Sequence, residues 1–196
     1  MNIVTTTSVF PIGYSSVRAL ERLKKVGFRC LDLAFDYCVA PEDPNPKPSP
    51  YLHTEAEYPF ESKEWKTWAE KLRMRADELG VKYTQAHAPF GAECHKESMF
   101  RSFEVCRMLG IEQMVVHPIW RDSNNRILED AAEFIQVNVE AIKPFLEVAE
   151  KNGVVILSEN LLWGASIYPE NISNLVEAVS SPYFNWCWVT KLLQQI

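Results

Sequence analysis

Four times along this chain an amphipathic stretch closes on a glycine, and an apolar run begins at the next residue. The copies are RALERLKKVG-FRCLDLAF, AEKLRMRADELG-VKYTQAHAPF, FEVCRMLG-IEQMVVHPIW and PFLEVAEKNG-VVILSENLLW, joined at Gly27, Gly80, Gly110 and Gly153. Glycine just past a helix takes the left-handed conformation at little steric cost, so each join reads as a helix end. Lys24, Lys25, Arg107 and Lys151 in the preceding turns suit the negative end of the helix dipole. Val17, Leu20, Leu23 and Val26 make one helical stripe. Ile135, Val139, Ile142, Leu146 and Ala149 make another, with Ala149 its weakest member. Pro144 interrupts that second stripe and predicts a kink or a break.

The runs after the glycines are short and rich in Val, Ile, Leu and aromatics, as in strands covered on both faces. Strands are expected near 2–8, 30–35, 82–87, 113–117, 154–159 and 185–189, and helices near 15–26, 62–79, 97–109, 129–151 and 170–180. This alternation argues for βαβ units in an α/β fold. A doubly wound open sheet is the alternative. Its glycine-rich first turn is missing, since SVFPIGYSS holds only Gly13. Six prolines (Pro41, Pro44, Pro46, Pro48, Pro50 and Pro59) mark an irregular stretch from about 37 to 60, either a lid or a stiff excursion.

Composition narrows the function. The net charge of −6 and the lack of any basic run longer than Lys24-Lys25 argue against nucleic-acid binding. No stretch approaches the roughly 20 apolar residues of a bilayer span, and the first residues, MNIVTTTSVF, lack the features of a signal peptide. Five scattered cysteines, Cys30, Cys38, Cys94, Cys106 and Cys187, point to free thiols in a reducing cytoplasm.

Polar side chains gather at the expected strand ends, where a barrel would form its catalytic mouth. They are Asp32 and Asp36 in CLDLAFD, His87 in QAHAPF, His117 in VVHPIW, and Glu159 with Asn160 in ILSENLLW. Two imidazoles and a carboxylate are a donor set for Zn, Mn or a similar divalent ion. A histidine at a strand end is, however, more often a hydrogen-bonded structural residue. Glu159 is the stronger candidate, because a carboxylate closing the apolar run VVILS is costly to bury without a partner. Asp32 is a substrate contact or a helix cap. Trp120 and Trp163 offer flat faces for a sugar or pack at a rim, while Trp65 and Trp68 lie on a helix as packing residues.

Along nearly its whole length the chain resembles the xylose isomerase-like superfamily, in particular its sugar phosphate isomerase and epimerase group. ALERLKKVGFRCLDL, AHAPF, LGIEQMVVHP and above all NVEAIKPFLEVAEKNGVVILSENL carry the resemblance. It implies a single (β/α)8 TIM-barrel domain over 1–196, of which about six β/α units are present. It also implies one divalent metal, Mn, Zn, Mg or Co, and a sugar or sugar-derivative substrate. By the same resemblance Glu159 is a metal ligand and a base that moves a proton between adjacent carbons through an enediolate. His87 and His117 match positions that bind zinc in the related endonuclease IV-type (AP endonuclease) branch and line the substrate pocket in the isomerase branch. Asn160 belongs to the Glu-Asn signature of the group.

The pattern departs after the sixth strand. There the family reads close to Cys-Trp-Asp-Thr-Gly-His, and this chain has Cys187-Trp188-Val189-Thr190-Lys191-Leu192. Val189 and Leu192 cannot ligate a metal. The expectation is therefore a barrel cut short before its active site is complete and inactive as it stands, with open strand edges that either favour a homodimer or leave the chain marginally stable. An endonuclease would need more His and Asp ligands and a basic groove, whereas this acidic chain has four histidines. The remaining alternative is a non-catalytic assembly module.

Overall fold

All four glycine joins are helix ends in the computed structural model, which describes residues 4–11, 13–40, 57–89 and 97–188. Through them α1 (Ser16–Lys25), α2 (Trp65–Leu79), α3 (Glu97–Leu109) and α4 (Ala131–Asn152) lead into β2 (Cys30–Ala34), β3 (Lys82–His87), β4 (Gln113–Val116) and β5 (Val155–Glu159). β1 (Val4–Thr6) comes first, and α5 (Pro169–Val179) with β6 (Phe184–Cys187) continues the alternation. At each join the residue after the glycine donates its N–H to a carbonyl of the last helical turn. The pairs are Phe28 to Leu23 at 3.1 Å, Val81 to Ala76 at 3.0 Å, Ile111 to Cys106 at 2.8 Å and Val154 to Ala149 at 2.9 Å. This bond satisfies a carbonyl that the helix itself leaves open. Gly80 and Gly153 reach it with φ of +60° and +68°, where a β-carbon would bring strain. Val81, Ile111 and Val154 are buried, so the residue that closes one helix also starts the core of the next strand.

The described residues up to 89, with 97–114, form one compact unit, and 115–188 form a second, with the division inside β4. In the first unit β1, β2 and β3 run parallel in chain order, with Val4 opposite Cys30 and Ala34 opposite His87. The hydroxyl of buried Thr7 accepts the N–H of Ala34 at 2.9 Å, tying the end of β1 to the end of β2. Along α1, Ala19, Leu20 and Leu23 are buried. Val26, which the apolar spacing placed on the same stripe, is 70% exposed, because the helix ends at Lys25 and its face no longer sets the side-chain direction. Trp65 is buried beneath the Lys66 ammonium and the Arg101 guanidinium, and Trp68 packs edge-on against Phe60 at 5.9 Å. Both tryptophans are packing residues.

In the second unit β5 and β6 run parallel, with Ile156 opposite Phe184 and Glu159 opposite Cys187. α4 starts on Asp130, whose carboxylate accepts the Glu133 N–H at 2.8 Å. The helix then runs unbroken through Pro144. Proline removes one N–H and so orphans the carbonyl four residues earlier, on Glu140. Glu140 and Pro144 are both exposed, so the orphaned carbonyl lies on the solvent side of the helix and the helix does not break there. The buried face is Phe134, Asn138, Ala141, Ile142, Phe145 and Ala149. It is offset from the expected stripe, in which Ile135, Val139 and Leu146 are only half-buried. No helix among the described residues is long and apolar enough to cross a membrane.

Candidate functional site

In the first unit the site residues are placed by a bulge. β2 and β3 pair Leu31 with Tyr83, but the next pair is Asp32 with Gln85, so Thr84 is an extra residue in β3. Successive strand residues face opposite sides, and one inserted residue changes which side chains share a face. Gln85, and with it His87 two residues on, comes to the face of Asp32. Asp32 Oδ2 lies 2.7 Å from His87 Nδ1, with 8% of the aspartate side chain and 30% of the imidazole exposed. Asp36, the second acidic residue at this strand end, sits on the short 3-10 turn Phe35–Cys38 and is exposed.

In the second unit the C-terminal end of β5 places Glu159. Its side chain is 9% exposed, and its Oε2 lies 3.6 Å from Nε2 of His117, which follows β4 and is 52% exposed. At that distance the two are not hydrogen-bonded. Two donors about 2.1 Å from one ion at a tetrahedral angle sit about 3.4 Å apart. The spacing therefore suits a shared cation better than a direct bond. Asn160, next in the chain, is buried.

Trp120 and Trp163 stack on each other, with ring centroids 4.7 Å apart and planes at 25°. The Arg121 guanidinium lies 4.2 Å from the Trp120 centroid. Trp120 is half-buried in this stack, and Trp163 is 46% exposed. Gly164 fixes the backbone beside Trp163. A β-carbon there would meet the Leu128 carbonyl oxygen at 2.5 Å, and φ is +57°.

Asn138 escaped the sequence reading. This fully buried side chain on α4 accepts the Ile119 N–H at 2.7 Å and donates to the Ile119 carbonyl at 2.9 Å. It also donates to the Phe134 carbonyl at 2.9 Å. It therefore pins the stretch between His117 and Trp120 to α4. The available signal was a lone amide inside the apolar half of a helix, which must find partners if it is buried. Val189 and Leu192 lie outside the described residues, as do 41–56 of the proline-rich stretch, His53, His95 and Cys94.

No curated protein matches the sequence. Among solved structures, D-psicose 3-epimerase with D-fructose present is 13% identical, with a TM-score of 0.66 over 96% of this chain and 63% of that one. A D-tagatose 3-epimerase-like protein is 18% identical, with a TM-score of 0.66 over 96% of this chain and 64% of that one. A 3-keto-D-glucoside 4-epimerase from E. coli is 12% identical, with a TM-score of 0.64 over 96% of this chain and 68% of that one. The chain thus spans less than two thirds of the first two, and at these identities the likeness is one of fold. The family profile described as xylose isomerase-like TIM barrel matches residues 20–193. With parallel strands, alternating helices and that match, the chain belongs to the xylose isomerase-like TIM barrel family, as an α/β chain of about six β/α units.

Proposed function

We propose that this chain carries part of a metal-dependent isomerase or epimerase acting on a sugar or sugar derivative, with Glu159 as both metal ligand and base. The observation that carries this reading is a buried carboxylate at a strand end, held 3.6 Å from an imidazole nitrogen. A carboxylate oxygen and an imidazole nitrogen suit Mn2+, Zn2+ or Co2+. When bound, such an ion stabilises negative charge developing on a carbonyl oxygen. In an isomerisation Glu159 takes a proton from the hydroxyl-bearing carbon beside that carbonyl, giving an enediolate, and returns it to the former carbonyl carbon, while the hydroxyl proton passes to the former carbonyl oxygen. His117 would hold the same ion or a substrate hydroxyl. Asn160 adds hydrogen bonds to hydroxyls, and the exposed face of Trp163 takes the apolar side of a sugar ring, with Trp120 behind it. A reducing cytoplasm fits the free thiols of Cys30, Cys38, Cys106 and Cys187. Val189 and Leu192 offer no donor at the positions where the family carries an Asp and a His. On this reading the chain holds its ion weakly and does not turn over sugar unaided.

The test is a Mn2+ titration of the purified chain, followed by the loss of the free-ion EPR signal. Saturable binding is expected, weakened at least about tenfold by Glu159→Gln. Equal affinity in the two proteins would remove Glu159 from the metal site. A native chain that binds no Mn2+ would leave the fold without this chemistry.

A further inference from the structure

We propose that Gly164 is a positioning residue that, with the Leu128 backbone, locks the loops after β4 and β5 together and holds Trp163, Trp120 and Arg121 as one preformed stacking platform. The two loops are joined through a single residue. Leu128 donates its N–H to the Trp120 carbonyl at 3.0 Å, and its own carbonyl accepts the Ala165 N–H at 2.7 Å. Trp120 and the turn just past Trp163 therefore share one backbone link. That link needs close approach. A β-carbon on Gly164 would lie 2.5 Å from the Leu128 carbonyl oxygen and 2.8 Å from the Ile127 side chain. The Leu128 oxygen is fixed by the bonds above, so it cannot give way without weakening them. The φ of +57° is a second reason for glycine here.

The rest of the turn is held as firmly. The buried Ser166 hydroxyl donates to the Trp163 carbonyl at 2.6 Å, and the buried Asn171 amide donates to the Ala165 carbonyl at 2.9 Å. Leu128 and Ala165 are themselves buried, so these are contacts of the interior. A turn that served only the core would bury its large ring as well. Here Trp163 stays half-exposed while it stacks on Trp120, and the Arg121 guanidinium lies 4.2 Å from the Trp120 centroid. A ring fixed before its ligand arrives loses little conformational freedom on binding, which is how a platform gains affinity. That the ligand is a sugar lying with its apolar side on Trp163 rests on the proposed isomerase chemistry. The lock itself does not.

Fluorine NMR of the chain labelled with fluorotryptophan reads the stack directly. Six tryptophans give a sparse spectrum, and single phenylalanine replacements assign it. Trp163→Leu removes the neighbouring ring current, so the Trp120 signal should shift. Gly164→Ala should shift it in the same direction, while the signals of Trp65, Trp68, Trp186 and Trp188 hold and show that the chain is folded. A Trp120 signal indifferent to either substitution would overturn the proposal. Should Gly164→Ala not fold, amide hydrogen exchange of the native chain decides. Leu128 and Ala165 should be protected together, and fast exchange at Ala165 would show that the loops are not locked. Neither measurement contains metal or sugar. Failure of the Mn2+ titration therefore leaves the lock standing, and a loose Trp163 leaves the role of Glu159 standing.

Discussion

Tyr83 is the least settled residue inside the first unit. The residue is 4% exposed, and its hydroxyl has no hydrogen-bond partner among the described residues. Burial pushes the acidity of this phenol far up, away from ionisation. A buried hydroxyl that has left water without a new partner costs about 1–3 kcal/mol. Tyr83→Phe removes the oxygen and keeps the ring, so it should raise stability by about 1 kcal/mol. Urea unfolding would show a higher midpoint with an unchanged slope. A lower midpoint would mean that the hydroxyl is bonded after all. Single residues differ in how readily sequence betrays them. Glu159 stood out because a carboxylate at the end of VVILS has few structural excuses. The contact of Asp32 with His87 did not, because it depends on an inserted residue that leaves no mark on the apolar pattern of VKYTQAH.

Elements show the same divide between pattern and partner. Helices and strands were readable because each glycine join carries both signals at once: a left-handed closure and an apolar restart. β3 and α3 keep their expected bounds, and other boundaries differ by at most three residues, as at α2, which starts at Trp65 where the spacing suggests 62. The buried stripe of α4 was misplaced for a physical reason. Asn138 lies on the core face, and a count of apolar residues leaves a polar side chain off the stripe. The same residue makes α4 the support of the stretch that carries His117 and Trp120. Asn138→Leu keeps bulk but leaves the Ile119 N–H and carbonyl without their side-chain partners. Orphaned buried groups cost about 1–3 kcal/mol each, so a loss of about 2 kcal/mol or more is expected. Amide hydrogen exchange at Ile119 should quicken well beyond that of β5. Unchanged exchange there would show that the loop is held by something else.

The molecule as a whole was legible as an α/β repeat because four copies of one unit leave little freedom of fold class. Its substrate was not, because the side chains that select among sugars come from loops whose sequences follow no period. The thiols offer a test of how the folded chain protects itself. Cys38 and Cys106 are buried in the first unit, while Cys30 and Cys187 are half-buried. Burial pushes the Cys38 thiol from 9.0 up to about 12 and raises Cys106 in the same direction. Alkylation needs the thiolate, so both should stay unmodified by iodoacetamide at pH 8 while Cys30 and Cys187 react. Peptide mass mapping with and without urea reads this residue by residue. The same shift fixes a pH dependence. With its acidity at about 12 folded and 9.0 unfolded, Cys38 stays protonated in the native unit while the open chain loses the proton. Its contribution is therefore intact below pH 9 and declines across the window from 9 to 12, by at most about 1.4 kcal/mol per pH unit. Cys38→Ala should flatten that decline. Labelling of Cys38 as fast as Cys30 in the native chain, or an alkaline slope untouched by the alanine, would mean that the thiol is not sealed in the core.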